Sequence, residues 1–186
     1  AGNTIDMDKF KHVYAIEQKL KAKLLEVEWK KMPEYVAGDE AYSDKEYTLA
    51  ISHFKKAVDK GNGLAMYDLG LMYDNGRGVV TNHEEAARWY RMAADKGIAN
   101  AMFALAISYA TGEGVSENDE EAFKWFKKAA ENGQVRATRY VGYYLAKGFG
   151  TKKNITEAMK WSLTAAEKGD VDAMHDIGEL YSYNRA

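Results

Sequence analysis

AMYDLGLMYDNGRGVVTNHEEAARWYRMAADKGIAN, residues 65–100, is the stretch whose reading decides the fold, because the chain repeats it. Residues 101–136 read AMFALAISYATGEGVSENDEEAFKWFKKAAENGQVR, and 137–172 read ATRYVGYYLAKGFGTKKNITEAMKWSLTAAEKGDVD. A further copy starts with AMHDIGELY at Ala173. The period is 36 residues without insertion. Self-similarity at such a period marks units that cannot bury their apolar faces alone and stack to do so.

The matched positions have physical roles. Gly76/Gly78, Gly112/Gly114 and Gly148/Gly150 supply the turn between two helices of a unit. Asn82, Asn118 and Asn154 are each followed three residues later by Glu85, Glu121 or Glu157, a capping-box arrangement that predicts helix starts. The second helices carry Ala86/Trp89/Ala93, Ala122/Trp125/Ala129 and Ala158/Trp161/Ala165 as a buried stripe, with the tryptophan as the large core side chain. Gly97, Gly133 and Gly169 are placed to end these helices as C′ residues. The first helices carry Ala65/Leu69/Tyr73, Ala101/Leu105/Tyr109 and Ala137/Val141/Leu145, with Gly70, Ala106, Gly142 and Gly178 permitting close approach of a neighbour.

Upstream, AISHFKKAVDKG from Ala50 to Gly61 matches a second helix. Its first helix, about residues 34–42, lacks the G-x-G-V turn, so this hairpin is shorter. Residues of about 5–32 form one long amphipathic helix with Phe10, Val13, Leu20, Leu24 and Val27 on one side, and Pro33 ends it. The expectation is an all-α, right-handed α-solenoid of ten helices, with residues 1–33 as an N-terminal helix folded back to cap the first hairpin. The repeat domain spans 34–186, in units 34–62, 65–97, 101–133, 137–169 and a partial 173–186.

The pattern A-x-x-x-L-G-x-x-Y-x-x-G-x-G-V, then about eight residues, then A-x-x-W-x-x-x-A-A-x-x-G resembles the Sel-one-like repeat, a relative of the tetratricopeptide repeat. The resemblance covers residues 65–183 closely and 34–62 loosely, and leaves out the N-terminal helix. The third copy departs from it at Val141, Leu145 and Phe149-Gly150-Thr151. Such proteins are typically adaptors and scaffolds, many of them bacterial and exported, some resembling immunity proteins that neutralise a secreted toxin. The resemblance therefore implies a protein or peptide partner, a secreted toxin among the candidates, and a bacterial periplasm or envelope, with the cytoplasm as alternative. A structural, self-assembling role is the competing reading.

Composition narrows the function. Lys+Arg of 26 against Asp+Glu of 28 leaves a net charge of −2, too balanced for the counterion release that nucleic-acid binding uses. Cysteine is absent, which excludes disulfides, thiol nucleophiles and thiolate metal sites. No apolar run approaches a membrane span. The chain begins at Ala1, which fits a processed export signal or a trimmed chain. His12, His53, His83 and His175 lie at no metal-ligand spacing, and the glycine-rich turns follow helices where phosphate loops follow strands. The expectation is a non-enzyme without cofactor or metal.

Where the repeats disagree, the first helices are free to carry function. Successive rows read Tyr67/Phe103/Arg139/His175, Asp68/Ala104/Tyr140/Asp176 and Leu71/Ile107/Tyr143/Glu179, giving an apolar, aromatic groove centre. Arg136, Arg139, Lys147, Lys152 and Lys153 form a basic edge, and Asp172, Asp176 and Glu179 an acidic end. The candidate partner-binding residues are Tyr67, Asp68, Leu71, Phe103, Ile107, Arg139, Tyr140, Tyr143, Lys147, His175, Asp176 and Glu179. With its N-terminal helix covering the first hairpin, the chain is expected to be a monomer.

Overall fold

The structure, a computed structural model, describes residues 7–183. A long helix α1 (Met7–Lys30) is followed by α2 (Pro33–Ser43), α3 (Tyr47–Asp59), α4 (Gly63–Asn75), α5 (His83–Asp95), α6 (Ala99–Thr111), α7 (Asp119–Glu131), α8 (Val135–Lys147), α9 (Ile155–Glu167) and α10 (Asp172–Tyr183). The described residues thus hold the ten expected helices and no strand. Positions 5–6 and 184–186 of the expected terminal elements lie outside the described residues. Even-numbered helices from α2 on are the first helices of the hairpins. Each of α3, α5, α7 and α9 packs on the first helix before it and on the next one after it, which makes the stack a solenoid.

The helix starts follow from their caps. The Oδ1 atoms of Asn82, Asn118 and Asn154 accept the amides of Glu85, Glu121 and Glu157, each at 3.0 Å. The reciprocal half of the capping box is not made. The cap residues' own amides instead donate to the carbonyls of Tyr73, Tyr109 and Leu145 at 2.9, 2.8 and 2.8 Å, and so tie each loop back to the first helix. Helix ends close as expected: Gly97 (φ 92°) donates to the Ala94 carbonyl and Ile98 to that of Ala93, a Schellman motif.

The core departs from the expected tryptophan stripe. Trp125 is buried, but Trp89 and Trp161 are only partly so. The large interior side chain is the next residue, Phe54, Tyr90 or Phe126, each at most 2% exposed. A residue four positions after the buried alanine points more squarely at the first helix than one three positions after it. Small residues receive these rings: a Cβ on Gly38 would lie 2.6 Å from the Phe54 ring, and one on Gly70 2.6 Å from that of Tyr90. In the third unit this place falls to Ser162, opposite Gly142.

Hairpins also interlock through their loops. Gly114 has φ 76°, and a Cβ there would overlap the backbone carbonyl of His83 at the start of α5. Gly150 stands in the same relation to Asp119 at the start of α7. The second glycine of each turn is therefore a docking point between units as well as a bend.

Helix α1 forms, yet it does not lay its apolar stripe over the first hairpin. Phe10, Val13, Leu20 and Leu24 are each more than half exposed and Val27 is 49% exposed. Only Trp29, against Gly63 of α4, is buried. Asn62 secures this end: its Nδ2 donates to the Trp29 carbonyl at 3.0 Å while its Oδ1 caps α4. The remainder of α1 runs past the loops at Gly97 and Gly133, with Ala22 and Glu26 turned toward them and Ile16 and Leu20 at the border of the hollow between.

Candidate protein-binding face

The first helices present to solvent the side chains that the core does not use. Between α4 and α6 these enclose an open hollow of about 320 Å³. Tyr67, Leu71, Phe103 and Ile107 make its apolar walls, and Asp74, Asn100, Glu113 and Arg136 its polar rim. Its floor is rigid. The Tyr67 ring packs on Tyr90 at 5.9 Å, Phe103 on Phe126 at 5.7 Å, and the Arg136 guanidinium lies 5.1 Å over Phe103. Four of the twelve expected residues thus meet in one concavity.

Further along, the expected groove is interrupted. Tyr140 stacks on Phe126 at 4.7 Å and meets Phe103 edge-on at 5.5 Å, so much of its ring is spent on packing. Arg139 is not part of a free basic edge. Its guanidinium reaches Asp170, Asp172 and Asp176 at 3.9, 3.7 and 3.8 Å, so the expected basic edge and acidic end neutralise each other here. Burial pushes the Asp176 carboxyl up despite Arg139. Beyond it, Tyr143, Lys147, Asp176 and Glu179 border a narrow crevice of about 20 Å³ that also contains Ser162 and Leu180. The Lys147 ammonium lies 5.7 Å over the Tyr143 ring. His175 is exposed on α10.

Asp68 stands apart from both. It accepts the Tyr35 hydroxyl at 2.9 Å, tying α4 to α2, and burial pushes its carboxyl up to about 6. Asp74 has a similar structural use, accepting from the Tyr90 hydroxyl at 3.1 Å and meeting His83 Nδ1 at 2.7 Å. That contact holds the His83 imidazole above its ordinary pKa.

Asn100, Gln134 and Arg136 enter the hollow although the row reading did not include them as site residues. Asn100 precedes Phe103, and Arg136 precedes Arg139, by three positions, so helical spacing alone carries that signal. Gln134 was hidden by its second duty, since its Oε1 caps α8 by accepting from Ala137. Among the described residues no group of three or more His, Asp or Glu is placed to hold a metal ion, and no helix is long and apolar enough to cross a membrane.

Stacked helical hairpins with a free first-helix face define the class: an α-solenoid of repeats. The Sel1 repeat model matches residues 35–62, 63–98, 99–134 and 135–170, and the chain belongs to that family. Sel1 repeat proteins are generally protein-interaction scaffolds. Helix α1 lies outside the matched residues. Among solved structures, a Sel1 repeat protein from Oxalobacter formigenes is similar at 42% identity and TM-score 0.75, over 79% of this chain and 60% of that one. A protective antigen of uropathogenic Escherichia coli strains, with an SLR fold, is 30% identical at TM-score 0.79, over 88% and 36%. Helicobacter pylori cysteine rich protein B shares the fold at 21% identity and TM-score 0.53, over 67% and 95%. The chain spans less than two thirds of the length of the first two. The search of curated proteins gives no match.

Proposed function

We propose that the chain is an adaptor whose first-helix face holds a segment of another protein, and that this segment seats apolar side chains between α4 and α6. The observation that carries this reading is the hollow walled by Tyr67, Leu71, Phe103 and Ile107 and rimmed by Glu113 and Arg136. Apolar and aromatic side chains set among polar groups such as Asp74, Asn100, Glu113, Gln134 and Arg136 suit a segment that brings both an apolar side chain and hydrogen-bonding groups, and Tyr and Arg are enriched where such segments anchor. The crevice beside Tyr143, Lys147, Asp176 and Glu179 extends the same face and orients the rest of the segment. A secreted toxin, with the chain acting as its immunity protein, is the partner class that the repeat resemblance alone suggests trying first.

The test is a capture experiment with the wild-type chain, a Leu71→Ala/Ile107→Ala variant and the Lys124→Ala control, against an envelope fraction. Lys124 is exposed, and among the described residues its ion pairs are with Glu120 and Glu121 on its own helix. A protein retained by wild type and control but lost with the double variant supports the reading. Identical retention by all three chains contradicts it.

A further inference from the structure

Helix α1 spends the wrong face on its own molecule. Ala22, Glu26 and Trp29 turn toward the repeats, while Phe10, Val13, Leu20, Leu24 and Val27 are largely exposed. These five fall on a strict alternation of three and four residues, 10-13-17-20-24-27, with Glu17 as the one polar member. A heptad seam of this kind is the face one helix presents to another of the same repeat. Among the described residues the other helices use their main apolar faces inside the stack.

We propose that α1 pairs antiparallel with the α1 of a second copy of this chain, Phe10, Val13, Glu17, Leu20, Leu24 and Val27 forming the seam. The exposed area fits that occupant. Taking roughly 150–200 Å² for a whole large side chain, the seam with Tyr14 and Ile16 leaves roughly 700 Å² of surface in water. That exceeds the roughly 300–600 Å² of the largest patch on a typical monomer and approaches the roughly 800 Å² per partner of a stable interface.

Self-complementarity fixes the direction. Antiparallel pairing sets Phe10 opposite Val27 of the second copy and Val13 opposite its Leu24, a larger against a smaller side chain in each layer. It also sets Glu17 opposite Leu20 of the second copy, leaving the carboxylate at the seam edge with Lys21, its ion-pair partner at 2.6 Å. Parallel pairing would bring the two Glu17 carboxylates together within the seam, where like charges repel with little water to screen them. Tyr14 then lies beside Lys21 of the second copy, whose aliphatic stem covers the ring. The expectation of a monomer rested on the apolar stripe covering the first hairpin, and that cover is not made.

Sedimentation of the full chain at about 50 µM, a concentration set high because a dimer depends on mass action, is expected to give the dimer mass. Leu20→Glu with Leu24→Glu should give a monomer with unchanged helical circular dichroism and unchanged melting of the repeats. Lys11→Glu with Ala15→Glu, on the other side of α1 and exposed ahead of the residues that border the repeats, should remain dimeric. Because the chain has no cysteine, mixing Val13→Cys and Leu24→Cys chains reads the direction: antiparallel pairing cross-links one variant to the other, and parallel pairing links each to itself. A monomeric wild type, a dimer that survives the Leu20/Leu24 double variant, or like-with-like cross-linking overturns the proposal.

Discussion

Replacing Gly114 by alanine should unfold the chain far more readily than the same change at Gly133, although both residues have positive φ (76° and 92°). At Gly133 nothing lies within 4 Å of the added Cβ, so the cost is left-handed backbone strain alone, about 1–2 kcal/mol. At Gly114 the same strain applies, and the methyl must also displace the backbone carbonyl of His83, which belongs to the preceding unit. Backbone cannot rotate aside as a side-chain tip can, so an overpacking cost of about 1–3 kcal/mol is added, for a total of about 2–5 kcal/mol. Against a domain stability of about 5–15 kcal/mol that difference is large. Urea denaturation followed by far-ultraviolet circular dichroism measures both variants. Equal losses at the two positions would refute the claim that the second glycine of the turn is where consecutive hairpins lock together.

Asn118→Ala should cost about 1 kcal/mol, read in the same titration, because the Glu121 amide loses its acceptor. Phe126→Ala should cost about 3–5 kcal/mol and more than Trp161→Ala, since Phe126 is fully buried and Trp161 is not; the reverse order would restore the tryptophan as the principal core residue. Asp68 has its pKa pushed up to about 6 by burial, above the unfolded value. The folded chain therefore holds a proton that the unfolded chain releases, and stability falls as pH rises from about 4 to about 6. Asp68→Asn keeps an acceptor for Tyr35 and should stabilise the chain by up to about 2 kcal/mol at neutral pH while flattening melting temperature across that window.

The repeat was legible because it is written several times. Asn82, Asn118 and Asn154 announce the starts of α5, α7 and α9, and Gly97, Gly133 and Gly169 their ends. What the pattern conceals is which of two adjacent aromatics is inside. Trp89-Tyr90 and Trp125-Phe126 read alike, yet Trp125 is buried beside Phe126 while Trp89 is only partly buried, and the facing Gly70 gives the deep place to Tyr90. The hollow was partly legible, since Tyr67, Leu71, Phe103 and Ile107 follow from the rows. The ion pairs of Arg139 were not legible, because its acidic partners Asp170 and Asp172 sit more than thirty positions later, where spacing along one helix carries no signal. The amphipathic pattern of α1 was visible as well, but amphipathicity states that a face must be covered without saying by what.

The most direct test of the central claim is the affinity of a captured partner for two variants of the full chain, measured by titration calorimetry. Leu71→Ala/Ile107→Ala removes apolar walls of the hollow between α4 and α6, and Lys124→Ala changes an exposed residue of α7. Binding through the first-helix face predicts a loss of at least about 2 kcal/mol, roughly thirtyfold in Kd, for the hollow variant and almost none for the control. Equal affinities for the two, with both chains folded, would show that the partner is held elsewhere.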